Sequence, residues 1–289
     1  MFFASPSAPD ESTMEKWINN LLVDASPPEK RKFKSPLVFV HGLWSGSWCW
    51  QPWSTHFANF GWECWAVNLR GRFGERAIET LRQLTFQQCV EDLKRVIREA
   101  PFPPVVLGHS FGGLIAQKVA EEEKLSALIL LSSLLPGGDP MASTRALRLL
   151  RLKYLPLIWL RQTFCPDERD FSRSWLASLP ERQRSDISRQ MVPESSHLVS
   201  ELFRRRVEID PGHFSGPVLV VGGSADRVVP VTALKALANR LGADFQHYPE
   251  HGHWILQEEG SEKVVRDIHR WLMQRLGEAI WLAESPDRG

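Results

Sequence analysis

Hydrophobic positions follow two rhythms along the chain. Uninterrupted short runs, such as Leu37-Val38-Phe39-Val40 and Pro104-Val105-Val106-Leu107, read as strands buried on both faces. Further strands are expected over residues 63–69, 125–133, 218–222 and 243–248. Between them apolar positions recur at the helical period, predicting helices over 50–60, 85–99, 113–123, 231–241 and 261–276. Buried strands alternating with helices build a mostly parallel central sheet flanked by helices, an α/β fold.

The alternation fails in two places. Ser12-Thr13-Met14-Glu15 has capping-box spacing and predicts a helix running to about residue 23, followed by the polar linker Pro27-Pro28-Glu29-Lys30-Arg31-Lys32. From about 136 to 210 the strand rhythm disappears. There Leu147, Leu149, Leu150, Leu152, Leu155, Ile158, Trp159 and Leu160 recur at helical spacing. The expected organisation is an N-terminal extension over residues 1–35, frayed at its start and carrying one helix. A core of 36–136 and 206–289 and a helical lid of 137–205 complete it.

Composition narrows the function. The 289 residues are 43% hydrophobic and carry 35 Lys and Arg against 34 Asp and Glu, so no overall field draws in nucleic acid. Cys49, Cys64, Cys89 and Cys165 form no C-x-x-C pair, which argues against both a zinc site and a disulfide framework. The first residues have no basic segment leading into an apolar one, and no run nears membrane-spanning length. A cytoplasmic protein with reduced thiols and no membrane span is expected. Leu and Arg mixed between Arg145 and Arg161 leave room for peripheral lipid contact, although an ordinary lid helix with an apolar underside is the simpler reading.

Three segments carry candidate chemistry. Gly108-His109-Ser110-Phe111-Gly112-Gly113 lies between a strand and a helix, where a sharp turn would lift the Ser110 hydroxyl above the sheet edge as a nucleophile. Val40-His41-Gly42-Leu43 ends the first core strand, and Gly42 lets the loop turn inward. The backbone N–H groups of Leu43 and Phe111 are then candidates for an oxyanion hole.

Asp226 follows a strand, and His251 and His253 share one loop. His253 is favoured as base because Gly252 precedes it, and Asp226 as the carboxylate that orients it. Asp139, also after a strand, is an alternative acid. The chain order Ser110, Asp226, His253 is that of one hydrolase architecture. His251-Gly252-His253 lacks a third ligand at suitable spacing, so neither a metal nor a cofactor is expected. Arg204-Arg205-Arg206 reads as a solvated helix end and His197 as a surface or packed histidine. Trp44, His109, Trp159 and Trp254 are candidate substrate-pocket residues.

These segments resemble the α/β-hydrolase superfamily, in its lidded, small-esterase-like branch. His41-Gly42-Leu43-Trp44-Ser45-Gly46-Ser47-Trp48-Cys49-Trp50 is similar to the oxyanion-loop stretch, Gly108 to Gly113 to the nucleophile elbow, and Gly252-His253-Trp254 to the histidine loop. The resemblance implies an acyl-enzyme mechanism on a small-molecule carboxylic ester, with an apolar pocket under the lid. It also leaves three alternatives, of which cofactor-free perhydrolases are one. Carbon–carbon bond hydrolases of dienone-acid type often share the His-Trp pair, and some relatives bind ligands without turnover. Ser110 excludes relatives that attack with Asp at the elbow, and Trp254 stands where hydroxynitrile lyases carry Lys. Two departures stand out: residues 12–24 read as helix where the superfamily has a strand hairpin, and Asn68-Leu69-Arg70-Gly71-Arg72 replaces a common Asp-Leu-Arg-Gly-His.

Overall fold

The computed structural model describes residues 13–137, 145–204 and 207–282. Its first half runs β1 (Met14–Ile18), β2 (Leu21–Ser26), β3 (Leu37–Val40), α1 (Gln51–Phe60), β4 (Cys64–Val67), α2 (Ala77–Arg82), α3 (Phe86–Arg98), β5 (Val105–His109), α4 (Phe111–Ala120) and β6 (Ala127–Leu131). An insertion follows, with α5 (Arg145–Trp159), β7 (Thr163–Phe164), α6 (Glu168–Arg173), α7 (Glu181–Gln190), β8 (Glu194–Ser195) and α8 (Ser196–Phe203). The chain then returns to the sheet with β9 (Val218–Gly223), α9 (Val231–Leu241), β10 (Asp244–Tyr248) and α10 (Ser261–Leu276).

Eight strands form one sheet in the order β1-β2-β4-β3-β5-β6-β9-β10. From β4 to β10 every pairing is parallel, and β3, β4, β5, β6 and β9 are buried along their whole length. Such strands need helices on both faces, which explains their lack of polar alternation. Chain order reverses around β3, which pairs with β4 on one side and β5 on the other. In register, Val40 of β3 stands opposite Gly108 of β5, and His109 opposite Leu131 of β6. The loops after β3, β5, β6 and β9 therefore leave from one edge, the place where open parallel sheets hold their ligands.

The N-terminal helix expected over residues 12–23 does not form. Residues 14–26 are instead the antiparallel hairpin β1–β2, and β2 adds antiparallel to β4, so the sheet gains two strands at this edge. The turn is Asn19-Asn20, both with positive φ (48° and 64°), a backbone that asparagine tolerates and that matches strand twist. In β2, Leu21, Val23 and Ala25 are buried while Leu22 and Asp24 are half-buried, the period of a strand. The capping-box spacing was coincidental, and Asn19-Asn20 is the signal that outweighs it.

Between β6 and β9 the described residues carry four helices, α5 to α8, and one short strand pair. Two-residue strands β7 and β8 pair antiparallel, Thr163 with Ser195 and Phe164 with Glu194. Pairs this short leave no trace in hydrophobic periodicity. Among the described residues no helix is long and apolar enough to cross a membrane.

Candidate active site

Ser110 caps the N-terminus of α4 with φ 53° and ψ −116°, a conformation that L-residues rarely adopt. Strain of this kind costs about 1–3 kcal/mol and persists only where surroundings impose it. Here the backbone is held from both sides. Ser110 N–H donates to Leu131 O at 2.9 Å, and Ser110 O accepts from Gly113 and Leu134 N–H.

The glycines make the turn sterically feasible. A Cβ on Gly108 would lie 2.5 Å from Gly112 O, and one on Gly112 would lie 2.2 Å from Val40 O. With hydrogen alone at these positions, α4 seats against the end of β3, and the loop after β3 passes beside Ser110. A Cβ on Gly42 would be 3.2 Å from Ser110 Cβ.

Three side chains from distant parts of the chain form a row. Ser110 Oγ lies 2.9 Å from His253 Nε2, and His253 Nδ1 lies 2.9 Å from Asp226 Oδ2. A carboxylate can only accept, so Nδ1 carries the hydrogen and Nε2 presents its lone pair to the Ser110 hydroxyl. Asp226 is itself fixed: its Oδ1 accepts from Val228 N–H at 2.7 Å and Val229 N–H at 2.9 Å. The side chains of His253 and Asp226 are wholly buried.

His251 does not join the row. Its Nδ1 faces Glu258 Oε2 at 3.1 Å, and the same oxygen accepts from Gly252 N–H at 2.7 Å. Glu258 therefore turns His251 aside and tethers the backbone just before His253. Its role was not read from the sequence, where only its place five residues after His253 could have hinted at it. Asp139 lies outside the described residues.

Of the two candidate oxyanion amides, that of Phe111 directly follows the serine, and that of Leu43 directly follows Gly42, whose Cα faces Ser110. Phe111 is the first residue of α4, where N–H groups have no intrahelical acceptor and the helix dipole is positive. Among the described residues, neither Phe111 N–H nor Leu43 N–H is paired with an acceptor. Trp44, next to Leu43, has φ 60° and is clamped to the insertion. Its indole N–H donates to Phe164 O at 3.2 Å, its carbonyl accepts from Val192 N–H at 2.8 Å, and its ring meets Trp175 edge-on at 5.2 Å.

Arg72 adds a second tie between loop and insertion. Its Nε donates to Ser45 O at 2.9 Å while its other end pairs with Glu194 of β8, and both side chains are buried. Sequence reading noted Arg72 only as a departure from His. Beside this loop a cavity of about 770 Å³ is walled by Gly46, Ser47, Trp48, Asn68 and Met191; Ser110 and His253 do not line it.

The candidate pocket residues fare unequally. Trp159 is 81% exposed on the end of α5, so its expected place in the pocket is corrected: helical spacing gave a row but not the direction it faces. Trp254 is buried, with its N–H bonded to Gln257 Oε1 and its ring 5.5 Å from that of His109. His109 is buried too, and its Nε2–H donates to His253 O at 2.8 Å, which makes it a brace for the histidine loop.

His41 plays the same part on the other side. Its Nδ1–H donates to Gly42 O at 2.8 Å, and Nε2 accepts from Leu69 N–H. Burial pushes both imidazoles down to about 3, aided by Arg72 at His41 and by His253 at His109.

This predicts a pH-dependent stability. Unfolded, each ring would titrate near its usual 6.5, so at lower pH the unfolded chain binds the extra protons. The contribution is whole above about pH 6.5 and lost as pH falls towards 3, at about 1.4 kcal/mol per pH unit per ring. Tm measured across this window should fall with pH, and less steeply in His109→Gln. A profile identical in the variant would contradict the assignment.

Cys49, Cys64 and Cys89 are buried and Cys165 partly so; burial pushes the Cys165 thiol up to about 12, too high for a thiolate nucleophile. Among the described residues no three His, Cys, Asp or Glu side chains are grouped to hold a metal.

The sequence pattern of the alpha/beta hydrolase family matches residues 37–267. The chain belongs to that family. Protein ABHD8 of Mus musculus is 24% identical over 250 residues, covering 82% of this chain and 55% of that protein, so the chain spans about half the length of this relative. A carbendazim hydrolyzing esterase of Nocardioides sp. is 29% identical over 108 residues, 36% of this chain and 44% of that enzyme. Among solved structures, an esterase from Exiguobacterium antarcticum superposes with a TM-score of 0.69 at 18% identity. It covers 90% of this chain and 99% of its own, a likeness of fold.

Proposed function

We propose that this alpha/beta hydrolase is a serine carboxylesterase. The carrying observation is the buried row Ser110–His253–Asp226, with both contacts at 2.9 Å and the serine on a strained turn. His253 Nε2 takes the hydroxyl proton as Ser110 Oγ bonds to the ester carbonyl carbon. The resulting oxyanion is held by the N–H groups of Leu43 and Phe111, an interaction worth about 3–4 kcal/mol per donor where measured. His253 then returns the proton to the departing alcohol, leaving an acyl group on Ser110. Water gives a proton to His253 as it attacks the acyl carbon; the acyl–Oγ bond then breaks, His253 returns the proton to Ser110 Oγ, and the acid is released.

Residues 137–205 act as a lid. Trp44, clamped to Phe164 and Val192, makes the oxyanion loop and the insertion one unit, and the ester taken beneath it is an apolar one of small or medium size. The esterase names of the Nocardioides and Exiguobacterium proteins support the same reading. The pair His253-Trp254 lends no weight to carbon–carbon hydrolysis, because the Trp254 ring is packed away and its N–H is spent on Gln257. Assay against p-nitrophenyl esters from acetate to decanoate should give turnover best at short or medium chains, with no added cofactor. No turnover on any of them would overturn the proposal.

A further inference from the structure

Nine large apolar side chains are exposed among the described residues, and four of them fall within one short stretch: Leu152, Leu155, Trp159 and Leu160, at 69%, 47%, 81% and 56% exposure. Three of these share a row on α5 at positions i, i+3 and i+7. The row is not the side by which α5 is anchored. On the opposite side Tyr154 is buried, stacks on Phe164 at 4.8 Å and donates its hydroxyl to Asp170. Leu157 and Ile158 pack against the core beside it.

The charge on this stretch is of one sign. Arg145, Arg148, Arg151, Lys153 and Arg161 fall between residues 145 and 161, with no Asp or Glu among them, in a chain whose net charge is only +1. Lys153 is engaged by Asp167 and Asp170. Arg161, in the turn that follows α5, is exposed next to Trp159 and Leu160.

A second copy of the chain fits this face poorly, since a symmetric contact would set like charges against each other. A plane of anionic headgroups over an acyl boundary fits a stretch of one-signed charge that exposes leucine and tryptophan together: such a surface takes basic groups at the headgroups, leucine below them, and tryptophan at the level between.

We propose that α5 and the turn after it form a peripheral docking surface for an anionic phospholipid bilayer, with Leu152, Leu155 and Trp159 entering the interface. This does not depend on the ester-hydrolase reading, and either can fail alone.

The test is co-sedimentation of the full chain with vesicles of phosphatidylcholine and phosphatidylglycerol (3:1), and with phosphatidylcholine alone. The expected result is binding to the anionic vesicles at least tenfold tighter than to the neutral ones, weakening as salt is raised. The double variant Leu152→Glu, Leu155→Glu should lose at least tenfold of that binding while keeping its Tm and its rate on a soluble p-nitrophenyl ester. Equal binding to both vesicle types, no binding to either, or undiminished binding by the double variant would overturn the proposal. So would a concentration-dependent dimer that the double variant dissolves, which would assign the face to a second copy.

Discussion

Replacing Ser110 with Ala should lower kcat/KM for a p-nitrophenyl ester by about 10⁴-fold or more, a loss of roughly 5.5 kcal/mol of transition-state stabilisation. The substitution removes one oxygen and nothing else. Ala tolerates φ 53° no better and no worse than Ser, and the backbone bonds to Leu131, Gly113 and Leu134 remain. Tm should therefore stay close to that of the parent, which separates loss of the nucleophile from loss of the fold. Residual activity is expected from the Leu43 and Phe111 amides, which can still polarise a bound carbonyl. A variant that retains full turnover would show that some other group attacks. A parent without turnover would favour the non-catalytic, ligand-binding reading.

Asp226→Asn should lower kcat by about 10³–10⁴-fold with little change in KM. The reason lies in the two amides that hold the carboxylate. Val228 and Val229 N–H both point at Oδ1 of Asp226, so an asparagine would leave its carbonyl oxygen there and turn its NH₂ towards His253. Nδ1 of His253 would then have to accept, the ring hydrogen would move to Nε2, and the base would face Ser110 with a proton instead of a lone pair. The shape of the site would survive while its polarity reversed. Asp139→Asn, by contrast, should leave kcat within about twofold, as expected when Asp226 alone orients His253. If instead Asp226→Asn leaves kcat intact, the assignment of Asp226 is wrong.

Much of this site was legible from residues because its constraints are local. Gly108 and Gly112 are dictated by backbone atoms within 2.5 Å of where a side chain would be, so the elbow leaves a sequence mark. Fully buried strands are just as plain: β3, β5, β6 and β9 are apolar at nearly every position. Choosing His253 over His251 rested on loop character alone, and Glu258 supplies the physical reason.

What escaped was either two-sided or long-range. The β1–β2 hairpin lies at the sheet edge, where β1 exposes Met14, Glu15, Lys16 and Trp17, so its residues obey no buried pattern. Arg72 meets Glu194 across 122 positions, and nothing local links the two. Trp159 shares its row with Leu152 and Leu155, yet only the packing of Tyr154 on Phe164 tells which side of α5 faces inward.

The central claim is that Ser110 is a nucleophile made reactive by His253. Its most direct test is mass spectrometry of the protein after reaction with a p-nitrophenyl alkylphosphonate. The expected result is one phosphonyl group per chain, carried by the peptide containing Ser110, gained in step with loss of esterase activity and formed far more slowly in His253→Ala. Full esterase activity in protein labelled to completion at Ser110, or a label residing on any other residue, would contradict the account.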